Sequence, residues 1–205
     1  MQKTDNIKLI LLGESQVGKS SLLMQFAKGQ NNEVQDATIG AAFLTQNIDL
    51  DERIVKFEIW NTAGQERYHS LPPNYYKSAK AALVVYDITR VETFDRAKLW
   101  VKKLKRVASR DIVIALAGNN LDSNSSRTVG YEEANAYAEE NGLIFKEMSE
   151  NNGTNVDEIF LEIARRVQLK LEQAVSADTN AKDEIELRAG NTGLQEENKC
   201  CCYLM

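Results

Sequence analysis

Residues 13–20, GESQVGKS, carry the most specific chemistry in this chain. Two glycines five positions apart let a backbone curl so that several main-chain N–H groups face one anion. Lys19 adds a point charge for outer phosphates, and the Ser20 hydroxyl is a hard oxygen ligand suited to Mg²⁺. The apolar run Ile7–Leu12 precedes the loop, and helical spacing of Leu22, Leu23, Phe26 and Ala27 follows it. Strand, loop and helix in that order are what a phosphate cradle requires. Ser15, Gln16, Val17, Gly18, Lys19, Ser20 and Ser21 are therefore expected to surround the phosphates of a nucleotide. A second stretch, IWNTAGQERYHSL at 59–71, contains Thr62, Gly64, Gln65 and Glu66 in the manner of a phosphate-sensing loop.

The elements that must position these residues follow from periodicity. Apolar runs predict buried strands at 7–12, 81–86, 112–117 and 143–145. Segments 40–50 and 53–60 meet at Asp51-Glu52 and predict a hairpin. Helical spacing is expected over 18–28, 91–109, 131–141 and 155–173. Alternating strands and helices imply an α/β fold in three layers, a mostly parallel six-stranded sheet with helices on both faces.

The chain has 205 residues, 43% of them hydrophobic and 27% charged, enough for one domain with a real core. Its net charge of −5 argues against nucleic acid as a partner. No apolar run approaches the roughly 20 residues of a membrane span. The three cysteines, Cys200, Cys201 and Cys202, are neighbours and cannot staple a fold, so the domain fits a reducing cytosol. After Val175 the character changes. Residues 176–199 hold six acids, three bases and no aromatic, the composition of a disordered linker. As a flexible coil it would reach about 27 Å. The expected division is a domain at 1–175 and a tail at 176–205.

The ordered motifs resemble the Ras-like small GTPases, in particular the Rab branch. They are the loop at 13–20, TIG at 38–40, WNTAGQE at 60–66, YDIT at 86–89 and GNNLD at 118–122. ATIGAAFLTQ (37–46), ERYHSL (66–71) and IVIALAG (112–118) are most similar to the Rabs of early endosomes. The resemblance implies a P-loop NTPase fold, GTP and GDP as ligands, Mg²⁺ as cofactor, and slow hydrolysis of GTP. Thr38 matches the threonine that reaches Mg²⁺ when the γ-phosphate is present, Gly64 the glycine that contacts that phosphate, and Gln65 the residue that orients attacking water. Asn119 and Asp122 match the readers of guanine, with Asn120, Ser149 and Glu150 beside them. Phe43, Trp60 and Tyr75 match an aromatic triad offered to effectors, although sheet-face packing alone also accounts for them. Exchange factors and GTPase-activating proteins are implied partners, the latter because no arginine finger is identifiable in cis.

Four places depart from the family pattern. Asn61 replaces an aspartate that holds Mg²⁺ through a water, Asn120 replaces a lysine, and Asn31 stands where an aromatic ring leans on the base. Glu150 and Asn151 replace an Ala-Lys pair whose alanine N–H meets the guanine carbonyl; since a backbone N–H survives substitution, that change is expected to be mild. The expectation is guanine specificity with weakened retention of nucleotide and metal. A nucleotide-binding scaffold without an effective cycle is the alternative, with a phosphotransferase third.

The end, CCCYLM at 200–205, reads as a lipid acceptor. Cys202 opens a C-a-a-X box with Met last, which favours farnesyl, while adjacent cysteines suit the double geranylgeranylation of Rabs. Two lipids are needed for stable attachment because the linker is acidic. The location implied is the cytoplasmic face of endosomal or vesicle membranes, in exchange with the cytosol.

Overall fold

The computed structural model describes residues 3–28, 41–50, 53–62, 76 and 78–190. Thr38, Gly64, Gln65, Tyr75, Asn31 and Cys200–Cys202 lie outside them. The chain divides into two units, Met1–Gln168 and Leu169–Met205.

The first unit is built on a six-stranded sheet. Its strands are β1 (Lys3–Gly13), β2 (Ala41–Leu50), β3 (Arg53–Thr62), β4 (Ala81–Asp87), β5 (Val113–Asn119) and β6 (Ile144–Glu147), in spatial order β2-β3-β1-β4-β5-β6. β2 and β3 pair antiparallel from Leu50 opposite Arg53 outwards, as the hairpin reading required, and every other pairing is parallel. Buried on both sides, β4 and β5 read as apolar runs that end on Asp87 and Asn119; all seven residues of each are buried. β1 starts four residues before its apolar run, because Lys3–Asn6 pair with Arg53–Lys56 through backbone bonds that hydropathy does not register.

Strand alternation splits β1 between two faces. Ile10 and Leu12 join a core with Tyr86, Leu116 and residues of α2 (Val91–Val107) and α3 (Tyr131–Asn141), among them Phe94, Val101 and Ala134. Leu9 and Leu11 are equally buried and belong to the opposite side. The remaining helices are α1 (Lys19–Lys28) and α4 (Val156–Gly190). Phe26 of α1 stacks on Phe160 of α4 at 3.8 Å between ring centroids, which joins these two helices. A 3₁₀ turn at Leu121–Ser126, not foreseen from the sequence, follows β5.

All that is described of the second unit is the continuation of α4, which runs to Gly190. The linker reading began at 176, so helix occupies its first fifteen positions (176–190). Ala, Lys, Glu and Leu in this stretch favour a helix once one is nucleated upstream, although composition alone gives no apolar face to hold it. No helix of the described residues is long and apolar enough to cross a membrane.

Candidate nucleotide site

The parallel strands β1, β4 and β5 end together, at Gly13, Asp87 and Asn119, and the candidate residues gather beyond those ends. This is the crevice at the carboxyl edge of an open α/β sheet. Gly13 leaves β1 with φ +148°, and a side chain there would run into the Val85 carbonyl. Gly18 has φ +86°, and a Cβ on it would strike the Asn119 side-chain amide. Both glycines are thus required by close approach as well as by backbone angle. Gln16 takes a left-handed φ of 61° between them. Its carbonyl accepts a 2.7 Å bond from Arg90 Nη2, and Arg90 Nε in turn donates to Asp87 at 2.9 Å.

Lys19 begins α1 with its ammonium folded over the loop, donating to the carbonyls of Gly13 (2.9 Å) and Glu14 (2.6 Å). Burial, opposed in part by the Glu14 charge, lowers its pKa to about 8. A desolvated ammonium held, among the described residues, by carbonyl oxygens gains strongly from an arriving phosphate.

Asn61, at the end of β3, is buried and donates from Nδ2 to Ser20 Oγ at 2.9 Å. Its Oδ1 is buried and has no hydrogen-bond partner among the described residues. A hydroxyl beside an orphaned carbonyl oxygen is a donor set that a hard cation accepts. It is also neutral, and turning the amide over would aim N–H groups at the ion instead. Among the described residues there is no group of three or more His, Cys, Asp or Glu able to hold a metal. Mg²⁺ therefore fits at Ser20 and Asn61, with no protein charge from these two residues.

The other half of the crevice is assembled around Asn119. This residue is fully buried; its Nδ2 donates to the Val17 carbonyl at 2.9 Å and its Oδ1 accepts from Glu150 N at 3.3 Å. Ser149 Oγ donates to Asp122 Oδ1 at 2.5 Å, and Asn151 Nδ2 donates to Asp122 Oδ2 at 2.9 Å. Those two bonds, Ser149 first, hold the Asp122 carboxyl below its ordinary range. Asp122 thus presents an ionised acceptor pair, the partner for a ring N–H beside an exocyclic amine. Asn120 adopts the left-handed region (φ 69°), and its side-chain amide helps to lower the pKa of the Asp87 carboxyl.

Most of the loop and base-side residues expected from the sequence thus meet in one crevice. Phe43 and Trp60 lie elsewhere, as cross-strand neighbours on β2 and β3 in edge-to-face contact at 5.2 Å, with Phe43 exposed. Two residues that brace the loop, Asp87 and Arg90, were not singled out from the sequence. The signal was present in Asp87-x-Thr89, the spacing of a turn in which a carboxylate accepts from the residue two positions on. Here Asp87 Oδ1 accepts from the Thr89 N–H at 2.8 Å and from its hydroxyl at 2.6 Å.

A glycine-lined anion loop at the edge of a mostly parallel sheet, tied through Asn119 to the segment that carries an acceptor pair, defines a nucleotide-binding protein of the P-loop class. Residues 8–169 match the model of the Ras family, and the chain belongs to that family. It is accordingly a small GTP-binding switch protein.

Proposed function

We propose that the protein is a Rab-type switch of vesicle trafficking that holds its nucleotide and Mg²⁺ weakly. The observation that carries the reading is the Asn119 amide on the Val17 carbonyl, which makes base reader and phosphate loop one pocket. A ligand spanning both is a purine nucleoside polyphosphate, and Asp122 favours guanine because adenine has no N–H pair to offer it.

In this reading the loop N–H groups and Lys19 bind the phosphates, and Thr38 and Gly64 sense the last one. Gln65 orients water for in-line attack. Ser20, Thr38 and Asn61 hold Mg²⁺, whose contribution when bound is to neutralise charge on the outer phosphates. Unaided turnover is slow, on the order of 10⁻⁴ s⁻¹ as in related switches, and a GTPase-activating partner accelerates it. Effectors dock on Phe43, Trp60 and Tyr75. Lipids on Cys200, Cys201 or Cys202, at the end of a tail from 176 to 205, hold the protein on the cytoplasmic face of endosomal or vesicle membranes between periods in the cytosol. The endosomal assignment rests on the sequence motifs at 37–46, 66–71 and 112–118.

A second reading, a nucleotide-binding scaffold without an effective cycle, is favoured by the neutral Asn61–Ser20 pair. Identification of the co-purifying nucleotide, followed by single-turnover hydrolysis, separates the two. Co-purified GDP or GTP and slow conversion of loaded GTP to GDP support the switch. GTP bound but unconverted over many hours, even with a GTPase-activating protein of the Rab type, supports the scaffold.

A further inference from the structure

The structure turns one substitution from a mild change into a determinant. The Glu150 N–H is already engaged by Asn119, and its side chain points back into the crevice. A Cβ built on Gly18 would lie 2.5 and 2.6 Å from the two Glu150 carboxyl oxygens, so this group lies against the phosphate loop beside the Asn119 amide. Glu150 Oε2 is buried without a hydrogen-bond partner among the described residues.

We propose that Glu150 is a specificity-determining residue of the base pocket: its acceptor oxygens oppose a purine carrying a carbonyl at position 6, and so weaken guanine against adenine. This inference rests on the nucleotide-binding reading above. The order of contacts supports it. Ser149 bonds Asp122, and the next residue, Glu150, bonds Asn119, so the chain passes from the acceptor pair towards the loop. A guanine whose N1–H and 2-amine meet Asp122 presents its 6-carbonyl next along the same edge, on the side towards Asn119 and Gly18, against which the Glu150 carboxyl lies. Acceptor then faces acceptor, and neither is satisfied. An amine at position 6 would donate to the same oxygens. Burial first, then the Asp122 and Asp87 charges, push the Glu150 carboxyl above its usual range, as befits an acceptor set among acceptors.

The test is titration of the full chain, nucleotide removed, with GDP and with ADP at fixed Mg²⁺, comparing wild type, Glu150→Ala and Glu150→Gln. Circular dichroism melting establishes that all three are folded. Relieving an unsatisfied acceptor pair should tighten GDP by roughly ten- to hundred-fold in both variants. Gln should do at least as well as Ala, since its amide can donate to the carbonyl. ADP should not tighten in the Ala variant, which removes the acceptors that a 6-amine would meet, and in the Gln variant any gain should stay well below that for GDP, because the relieved clash is specific to a 6-carbonyl. An equal gain for GDP and ADP overturns the proposal, since the carboxylate would then act on the phosphates or on space alone. Unchanged GDP affinity in both variants, with wild type binding GDP, also overturns it and leaves the proposed function standing. Absence of GDP and ADP binding in all three folded proteins overturns the proposed function and this inference with it.

Discussion

Asn119 on β5 and Val17 in the phosphate loop are 102 residues apart in sequence and joined by a buried 2.9 Å hydrogen bond. One side chain thereby fixes the distance between the group that reads a base and the group that holds its phosphates. The Asn119 amide is fully buried, so the bond is shielded from water.

Replacing Asn119 with Ala should therefore act twice. It leaves the Val17 carbonyl without its side-chain donor and frees Glu150 N, costing about 1–3 kcal/mol of stability. It also lets the two halves of the pocket drift, so GDP affinity should fall by more than that loss alone would produce. Denaturant melts with and without GDP check both parts, and stabilisation by GDP should shrink along with the melt midpoint.

Asn61 carries the second prediction. Restoring a carboxylate with Asn61→Asp gives Ser20 a charged acceptor and the ion a charged partner. Charge-assisted contacts exceed neutral ones by about 1–2 kcal/mol, so release of a fluorescent GDP in millimolar Mg²⁺ should slow roughly tenfold. With the metal chelated, variant and wild type should release at similar rates. A variant that slows release equally under both conditions would place the effect outside the metal site.

The third concerns acid. Burial alone would raise the Asp87 carboxyl, but bonds from Thr89 and Arg90, with the nearby Asn120 amide, outweigh it and hold the pKa below the ordinary 3.8. A depressed carboxylate binds fewer protons folded than unfolded. Its contribution is thus complete above about pH 4 and is lost as pH falls through the folded value. Wild type should lose stability over that acid window, and Asp87→Asn should lose less there while being less stable at pH 7. Melting temperature against pH for both proteins checks the sign.

The fourth concerns Arg127 and Glu147, a two-pronged pair at 2.6 and 2.7 Å with the Glu147 side chain 6% exposed. Arg127→Met leaves that carboxylate buried at the end of β6 without its partner. The Arg127 side chain is partly exposed, so the loss should fall at the lower end for a buried pair, about 3 kcal/mol, or a drop of several degrees in Tm. Thermal melting measures it directly, and the double variant Arg127→Met with Glu147→Leu should recover much of the loss.

Much of this fold is legible in the sequence for a physical reason. β4 and β5 are buried on both faces, so their composition is dictated by burial alone and a run of apolar residues marks them. The polar start of β1 is held by backbone ladder bonds, which no side-chain pattern reports. The loop at 13–20 is equally legible, because its glycines are imposed by φ and by clearance from Val85 and Asn119. Glu150 is the opposite case. Substitution at a position known for its N–H looks harmless until three dimensions show that this N–H already serves Asn119 and that the side chain faces Gly18. In sequence Asn120 looks like a lost lysine, whereas its left-handed backbone (φ 69°) gives it a local role that asparagine suits.

A switch of this kind requires the crevice between Gly13 and Asp122 to take a guanosine polyphosphate. Calorimetric titration of the nucleotide-free protein with GDP at millimolar Mg²⁺ tests this most directly. Saturable one-to-one binding, weakened when Lys19 is replaced by Ala in a folded variant, is the predicted result. A folded wild-type protein that yields no heat and no fluorescence change with GDP or GTP would contradict it.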